Sequence, residues 1–294
     1  MARTKANGIE IEYETFGSKK DPALLLIMGL GAQLTLWPES LCEGLAAKGF
    51  FVVRYDNRDV GLSTDFDKSG VPNLMEAFGK LMKGHKVDAP YLLTDMADDA
   101  IGLLDALGID RAHMVGASMG GMIAQVIAAM YPERTRSLVS IMSTSGRMGL
   151  PMGKPEAVAM LSAQPEGLAR EQLVSHAVKL RAVIGSPGFP SDPAAVRTLV
   201  ERNIDRRYYP PGAARQYLAI MASGPRVDLL KTVKVPTLVL HGDDDPLLPV
   251  ECGRDVASLV PGAKIETYPG WGHDVPEQMV PRLVESISGF CKAA

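Results

Sequence analysis

Ser118 lies between two glycines in Gly116-Ala117-Ser118-Met119-Gly120-Gly121, after the apolar run Ala112 to Val115 and before the helix-patterned stretch Met119 to Tyr131. A serine hydroxyl becomes a nucleophile when the backbone presents it clear of its neighbours and a base takes its proton. The G-x-S-x-G pattern at a strand-to-helix junction does the presenting. The turn is sharp, and side chains at Gly116 and Gly120 would collide with the adjoining strand and helix. It also puts the Ser118 hydroxyl at a helix N-terminus, where developing negative charge is favoured. The same residues could form only a turn, so the chemistry depends on what else the chain supplies.

A base with a pKa near neutrality is the first requirement, and histidine is the usual one. Of His85, His113, His176, His241 and His273, the last stands in the glycine-flanked loop Pro269-Gly270-Trp271-Gly272-His273-Asp274, just after an apolar strand. From there it can reach a neighbouring elbow. His241 ends a strand and His113 lies within one, so both read as packing residues; His85 and His176 stand in polar surroundings and read as surface. An acid must then hold the imidazole in its tautomer. Leu238-Val239-Leu240-His241-Gly242-Asp243-Asp244-Asp245 ends a strand in three aspartates, one of which could face His273. The alternative is a solvated acidic turn. Chain order favours the chemistry: serine, aspartate, histidine, each directly after a strand. The backbone N–H of Met119 and of Leu30, in Gly29-Leu30-Gly31-Ala32, would supply an oxyanion hole. Trp37, Met122, Met148 and Met152, with Leu30, Met119 and Met160, are candidate pocket walls, against the alternative of plain core packing.

These groups need a frame that brings strand ends together. Ala23 to Met28, Phe50 to Tyr55, Ala112 to Val115, Ser137 to Met142, Pro236 to His241 and Ala263 to Tyr268 read as strands. Ile9 to Glu14 alternates apolar and acidic residues and reads as an antiparallel strand after an Asn7-Gly8 hairpin turn. Helix patterns run over Glu39 to Lys48, Thr94 to Leu107, Val250 to Leu259 and Pro276 to Phe290, with Gly49 and Gly108 as stops. Strand and helix alternate, so the fold class is α/β with a mostly parallel, twisted sheet flanked by helices. Residues 147–226 break the rhythm with helical patterns and Met, Pro and Gly at their joints. They read as a helical cap inserted into a core formed by 1–146 and 227–294.

With a formal net charge of -3, the chain offers no electrostatic case for nucleic acid or an anionic membrane. The basic group Arg202, Arg206, Arg207 and Arg215 sits in a mixed segment and reads as a solvated face. Cys42, Cys252 and Cys291 are far apart and show no metal-ligand spacing, so no metal is expected and a reducing compartment fits. No apolar leader or membrane-length run is visible, and the expected location is cytoplasmic.

These residues resemble the α/β-hydrolase family along nearly the whole chain. In that family the acid follows His-Gly-x-x-Asp, and His241-Gly242-Asp243-Asp244-Asp245 puts Asp245 there. The oxyanion loop often begins His-Gly; here it is Met28-Gly29-Leu30-Gly31. The next loop often reads Asp-x-Arg-Gly-x-Gly-x-Ser; here it is Asp56-Asn57-Arg58-Asp59-Val60-Gly61-Leu62-Ser63. Those variants, with Gly212-Ala213-Ala214-Arg215-Gln216, resemble the serine esterase subgroup that includes aclacinomycin methylesterase. The resemblance implies a cofactor-free hydrolase acting on a small-molecule carboxylic ester through an acyl-enzyme, with Ser118, Asp245 and His273 as triad and Asp56 and Arg58 as structural braces. The same triad also serves C–C bond hydrolases and cofactor-free perhydrolases (haloperoxidases). Dehalogenases and epoxide hydrolases place Asp where this chain has Ser118. A receptor or scaffold on the same fold is the non-enzymatic alternative.

Overall fold

The computed structural model describes residues 1–163, 165 and 167–294. Its strands are β1 (Ala2–Ala6), β2 (Ile9–Phe16), β3 (Ala23–Ile27), β4 (Phe51–Tyr55), β5 (Ala112–Ala117), β6 (Thr135–Ile141), β7 (Thr237–Gly242) and β8 (Lys264–Tyr268). They form one sheet in the order β1-β2-β4-β3-β5-β6-β7-β8. β1 and β2 are antiparallel additions at one edge, and every pairing from β4 to β8 is parallel. The Asn7-Gly8 turn joins β1 to β2 with both residues at positive φ, 47° and 77°, the conformation a tight two-residue hairpin demands.

The helices are α1 (Glu39–Ala47), α2 (Leu74–Met82), α3 (Leu93–Leu107), α4 (Met119–Met130), α5 (Pro155–Ser162), α6 (Arg170–Ile184), α7 (Pro193–Arg207), α8 (Pro210–Ser223), α9 (Val227–Leu230), α10 (Val250–Leu259) and α11 (Val280–Ala293). Alternate residues of the buried strands feed two apolar layers. Leu25 and Ile27 join the layer built with α3 and α4; Leu24 and Leu26 join the one built with α1 and α11. Burial on both faces explains the unbroken apolar runs of the parallel strands. Two elements were not legible in the sequence: β1, and α2, whose apolar side chains Met75, Phe78 and Met82 are exposed.

Between β6 and β7 the described residues hold α5 to α9 and no strand. This segment touches loops at the C-terminal ends of several parallel strands. Gln33 Nε2 donates to the carbonyls of Asn203 and Arg207, and Lys154 N–H to that of Pro246. Of the basic group read as a solvated face, Arg202 is exposed, but the other three are tied down. Arg215, 1% exposed, pairs with Asp59, Arg206 with the fully buried Asp56, and Arg207 with Asp65. A charge drawn as a surface feature from composition is here a tie between the insertion and the loops after β4. His176 also departs from the surface reading, since its Nε2 is buried without a hydrogen-bond partner among the described residues.

Candidate active site

Ser118 occupies a tight turn between β5 and α4 at φ 56°, ψ -120°, a region a side-chain-bearing residue enters only at a cost of about 1–3 kcal/mol. The surroundings hold it there. Its N–H donates to the Ile141 carbonyl at 2.9 Å, and its own carbonyl accepts from Met122 N–H and from Ser143 Oγ. A Cβ on Gly116 would stand 2.1 Å from the Gly120 carbonyl oxygen, and one on Gly120 would stand 2.0 Å from that of Ile27. Only glycine lets strand and helix approach this closely. The Ser118 side chain is half-buried at the N-terminus of α4.

The loop after β3 presses against this serine: a Cβ on Gly29 would lie 3.1 Å from Ser118 Cβ and 3.6 Å from Oγ. Within it, Ala32 N–H donates to the Gly29 carbonyl and Gly31 N–H to Gln216 Oε1 at 2.8 Å. The N–H groups of Leu30 and Met119 make no hydrogen bond with any described residue.

Asp245 and His273 follow the adjacent strands β7 and β8. His273 Nδ1 lies 2.7 Å from Asp245 Oδ2. Asp245 Oδ1 accepts the N–H groups of Leu247 and Leu248, both at 2.8 Å. Burial alone would raise the Asp245 pKa; the His273 and His241 imidazoles override this and hold the carboxyl well below the usual carboxylate range. Of the neighbouring aspartates, Asp243 and Asp244 are exposed, and Asp244 Oδ2 accepts from Gly270 N–H, tying down the histidine loop. His241 Nε2 donates to the Leu248 carbonyl at 2.8 Å, as a buried packing residue should. Ser118 Oγ makes no hydrogen bond to His273 in this structure.

The expected wall residues lie in different surroundings. Trp37 is fully buried in the layer beneath α1 and α11, and Met122 packs in the opposite layer. Each takes part in a close-packed layer of the core. Met148 and Met152 are 83% and 80% exposed. They lie on irregular backbone between β6 and α5, with no apolar layer to enter. Met119 is fully buried, and Leu30 is half-buried against the α3–α4 layer. The braces go deeper than the sequence indicated. Asp56 Oδ1 and Oδ2 accept from Leu34 and Leu62 N–H. Arg58 makes two bonds to Asp99. Gln216, fully buried, joins Gly31 N–H to the Arg58 carbonyl. No single-sequence signal marks a glutamine as buried, so its place was visible only in the fold.

Residues 22–278 match the alpha/beta hydrolase fold family. The chain belongs to the alpha/beta hydrolase fold family. Among its relatives in this family is a rhodomycin D methylesterase of Streptomyces sp. (strain C5), 28% identical over 96% of this chain and 94% of that protein. A bifunctional esterase/perhydrolase of Acinetobacter calcoaceticus is 27% identical over 99% of both chains. In fold, this alpha/beta hydrolase resembles the enol-lactonase from Burkholderia xenovorans LB400, with a TM-score of 0.75 at 22% identity over 99% of this chain and 100% of that one. Among the described residues no helix is long and apolar enough to cross a membrane, and no group of His, Cys, Asp and Glu could hold a metal ion.

Proposed function

We propose that this protein hydrolyses carboxylic esters through an acyl-enzyme on Ser118. The observation that carries the reading is His273 Nδ1 held 2.7 Å from the buried Asp245 carboxylate, in a fold that also sets Ser118 at positive φ on the β5–α4 turn. His273, its Nδ1–H bound to Asp245, presents Nε2 as the base that removes the Ser118 proton. The oxygen that gains charge in the tetrahedral intermediate is stabilised by the Leu30 and Met119 N–H groups and by the positive end of α4. His273 then protonates the leaving alcohol, and water attacks the acyl-enzyme with His273 again as base. The link from Ser118 Oγ to Nε2 closes in the substrate complex, since catalytic hydrogen bonds are often long in the free enzyme. Residues 147–226 act as the cap over the strand ends. The scheme needs no metal or cofactor.

A fluorophosphonate probe with p-nitrophenyl acyl esters tests the proposal. Wild-type protein labels on Ser118 and turns over the esters, while S118A does neither. A folded S118A protein that keeps full activity overturns the reading. The bifunctional relative favours a second activity of the same site: peracid formation, in which hydrogen peroxide replaces water as acceptor of the acyl group. Peracid release from a carboxylic acid and peroxide, lost in S118A, would show it.

A further inference from the structure

The turn that follows α6 is docked onto the loop that carries His273. The contact is backbone on backbone: a Cβ on Gly272 would stand 2.4 Å from the Gly185 carbonyl oxygen, and one on Gly188 would stand 2.7 Å from the Gly270 Cα. Three consecutive residues of the histidine loop are each held by residues 184–186. Gly272 N–H donates to Ser186 Oγ at 2.9 Å, His273 N–H donates to the Ile184 carbonyl at 2.7 Å, and Asp274 Oδ1 accepts from the Ser186 hydroxyl. Gly188 N–H adds a bond to the Gly270 carbonyl at 2.9 Å. Ser186 is 5% exposed, and its one hydroxyl serves both neighbours of His273, as acceptor toward Gly272 and as donor toward Asp274.

The loop after β7 holds the same segment from the core side, but at other residues. Asp244 N–H donates to the Trp271 carbonyl at 3.1 Å, and Asp244 Oδ2 accepts from Gly270 N–H at 2.7 Å. The N–H groups of Gly272 and His273 donate only to the turn after α6 among the described residues. The backbone of the candidate base thus leans on the insertion, while its ring leans on the core, with Nδ1 2.7 Å from Asp245 Oδ2. An imidazole pinned at Nδ1 alone can swing about that point. Pinned also at its backbone, it holds Nε2 in one place. A base must stand within hydrogen-bond reach of the proton it takes, and a misplacement of about 1 Å can cost about 100-fold in rate.

We propose that Ser186 is a positioning residue for His273, and that the insertion therefore sets the base as well as covering the strand ends. The inference deepens the ester-hydrolase reading and rests on it for the rate effect, but not for the hold on the loop.

Three readouts on the full chain test it: kcat and KM for p-nitrophenyl butyrate, the rate and end point of fluorophosphonate labelling at Ser118, and hydrogen–deuterium exchange of residues 269–274. S186A lowers kcat and the labelling rate at least about tenfold, with KM changed by less than about twofold. Labelling still ends at one probe per chain, and amide exchange over 269–274 speeds up. S186T, which keeps the hydroxyl, recovers part of the rate. G188A reaches the same contact by a second route, since its Cβ meets the Gly270 backbone while Ser186 is left in place; it carries the comparison if S186A does not fold. A rate per labelled site equal to wild type, a rise in KM at constant kcat, or unchanged exchange over 269–274 overturns the proposal. If wild type neither labels nor cleaves esters, the ester-hydrolase reading falls. Faster exchange at 269–274 in S186A then still supports the hold on His273, and unchanged exchange removes it.

Discussion

At the scale of single residues, the candidate site divides its work between charge and strain. Asp245 accepts three hydrogen bonds, one from His273 and two from backbone N–H groups, and so fixes which imidazole nitrogen carries the proton. D245N keeps an oxygen for Leu247 and Leu248 but turns an amide NH2 toward Nδ1. The imidazole then adopts the other tautomer, with Nε2–H facing the serine, and cannot act as base. Ester hydrolysis should fall about 10⁴-fold with the fold intact, measured as kcat/KM beside a melting curve; near-normal activity would remove Asp245 from the role. Ser118 pays in conformation at φ 56°. S118G should abolish labelling by a fluorophosphonate while stabilising the protein by about 1 kcal/mol, read from urea unfolding. An unchanged or lowered stability would mean the turn carries no strain to release. The serine, the histidine and the aspartate run were all legible as residue types after strands. Which aspartate turns inward was legible only through family resemblance, because three adjacent carboxylates look alike until the backbone orients them.

At the scale of elements, the parallel strands could be read because both faces are buried and their sequences are continuously apolar, as in Ala23–Ile27. α10 runs over the residues its pattern indicates, Val250–Leu259. β1 escaped notice because ARTKA is short, mostly polar and at a sheet edge, with only Ala6 buried. Pocket walls are hard to choose from residue type for a related reason: methionine suits core, surface and cavity alike, and its type does not say which. Contacts between elements were the least legible, since they join residues far apart in the chain. The Gln216 clamp is one, spanning 185 residues to Gly31. Without it the Gly29–Ala32 loop loses its tie to α8, and on the proposed mechanism the Leu30 N–H is no longer held for the oxyanion. Q216L should therefore lower kcat by about 10²-fold, as loss of one oxyanion donor does, with KM nearly unchanged. A fall in KM-dependent binding alone would assign the glutamine to substrate contact instead. Gly120→Ala is the harsher test of packing between elements. Its Cβ meets backbone, which cannot rotate away, so β3 and α4 must part, at a cost of at least about 1–3 kcal/mol, and labelling of Ser118 should be lost with it.

At the scale of the whole molecule, titratable groups buried within the fold couple its stability to pH. His113 lies in β5 at the middle of the sheet, 4% exposed, with Nδ1 2.7 Å from Ser137 Oγ and its ring against Phe50. Burial, with help from Arg136 and Arg111, lowers its pKa to about 4 from the ordinary 6.5. As pH falls through about 6.5 the unfolded chain takes up this proton and the folded chain does not, so unfolding is favoured. The loss accumulates until the folded imidazole itself is protonated near pH 4, and it amounts to about 3 kcal/mol. Asp245 acts in the same direction at lower pH: its depressed carboxyl stays ionised in the fold while the unfolded one is protonated. Asp99 and Asp274, raised by burial, oppose this, because the folded chain binds their protons first. His113 is thus a group whose contribution begins near pH 6.5, above the ordinary carboxylate range. H113N, which keeps a hydrogen-bonding atom for Ser137, should be less stable than wild type at pH 7.5 because ring packing is lost. Its stability should nevertheless decline less between pH 7.5 and 4.5, the difference approaching about 2–3 kcal/mol. Urea unfolding of both proteins across that range measures it, and parallel pH profiles would show that His113 is protonated equally in the folded and unfolded chains.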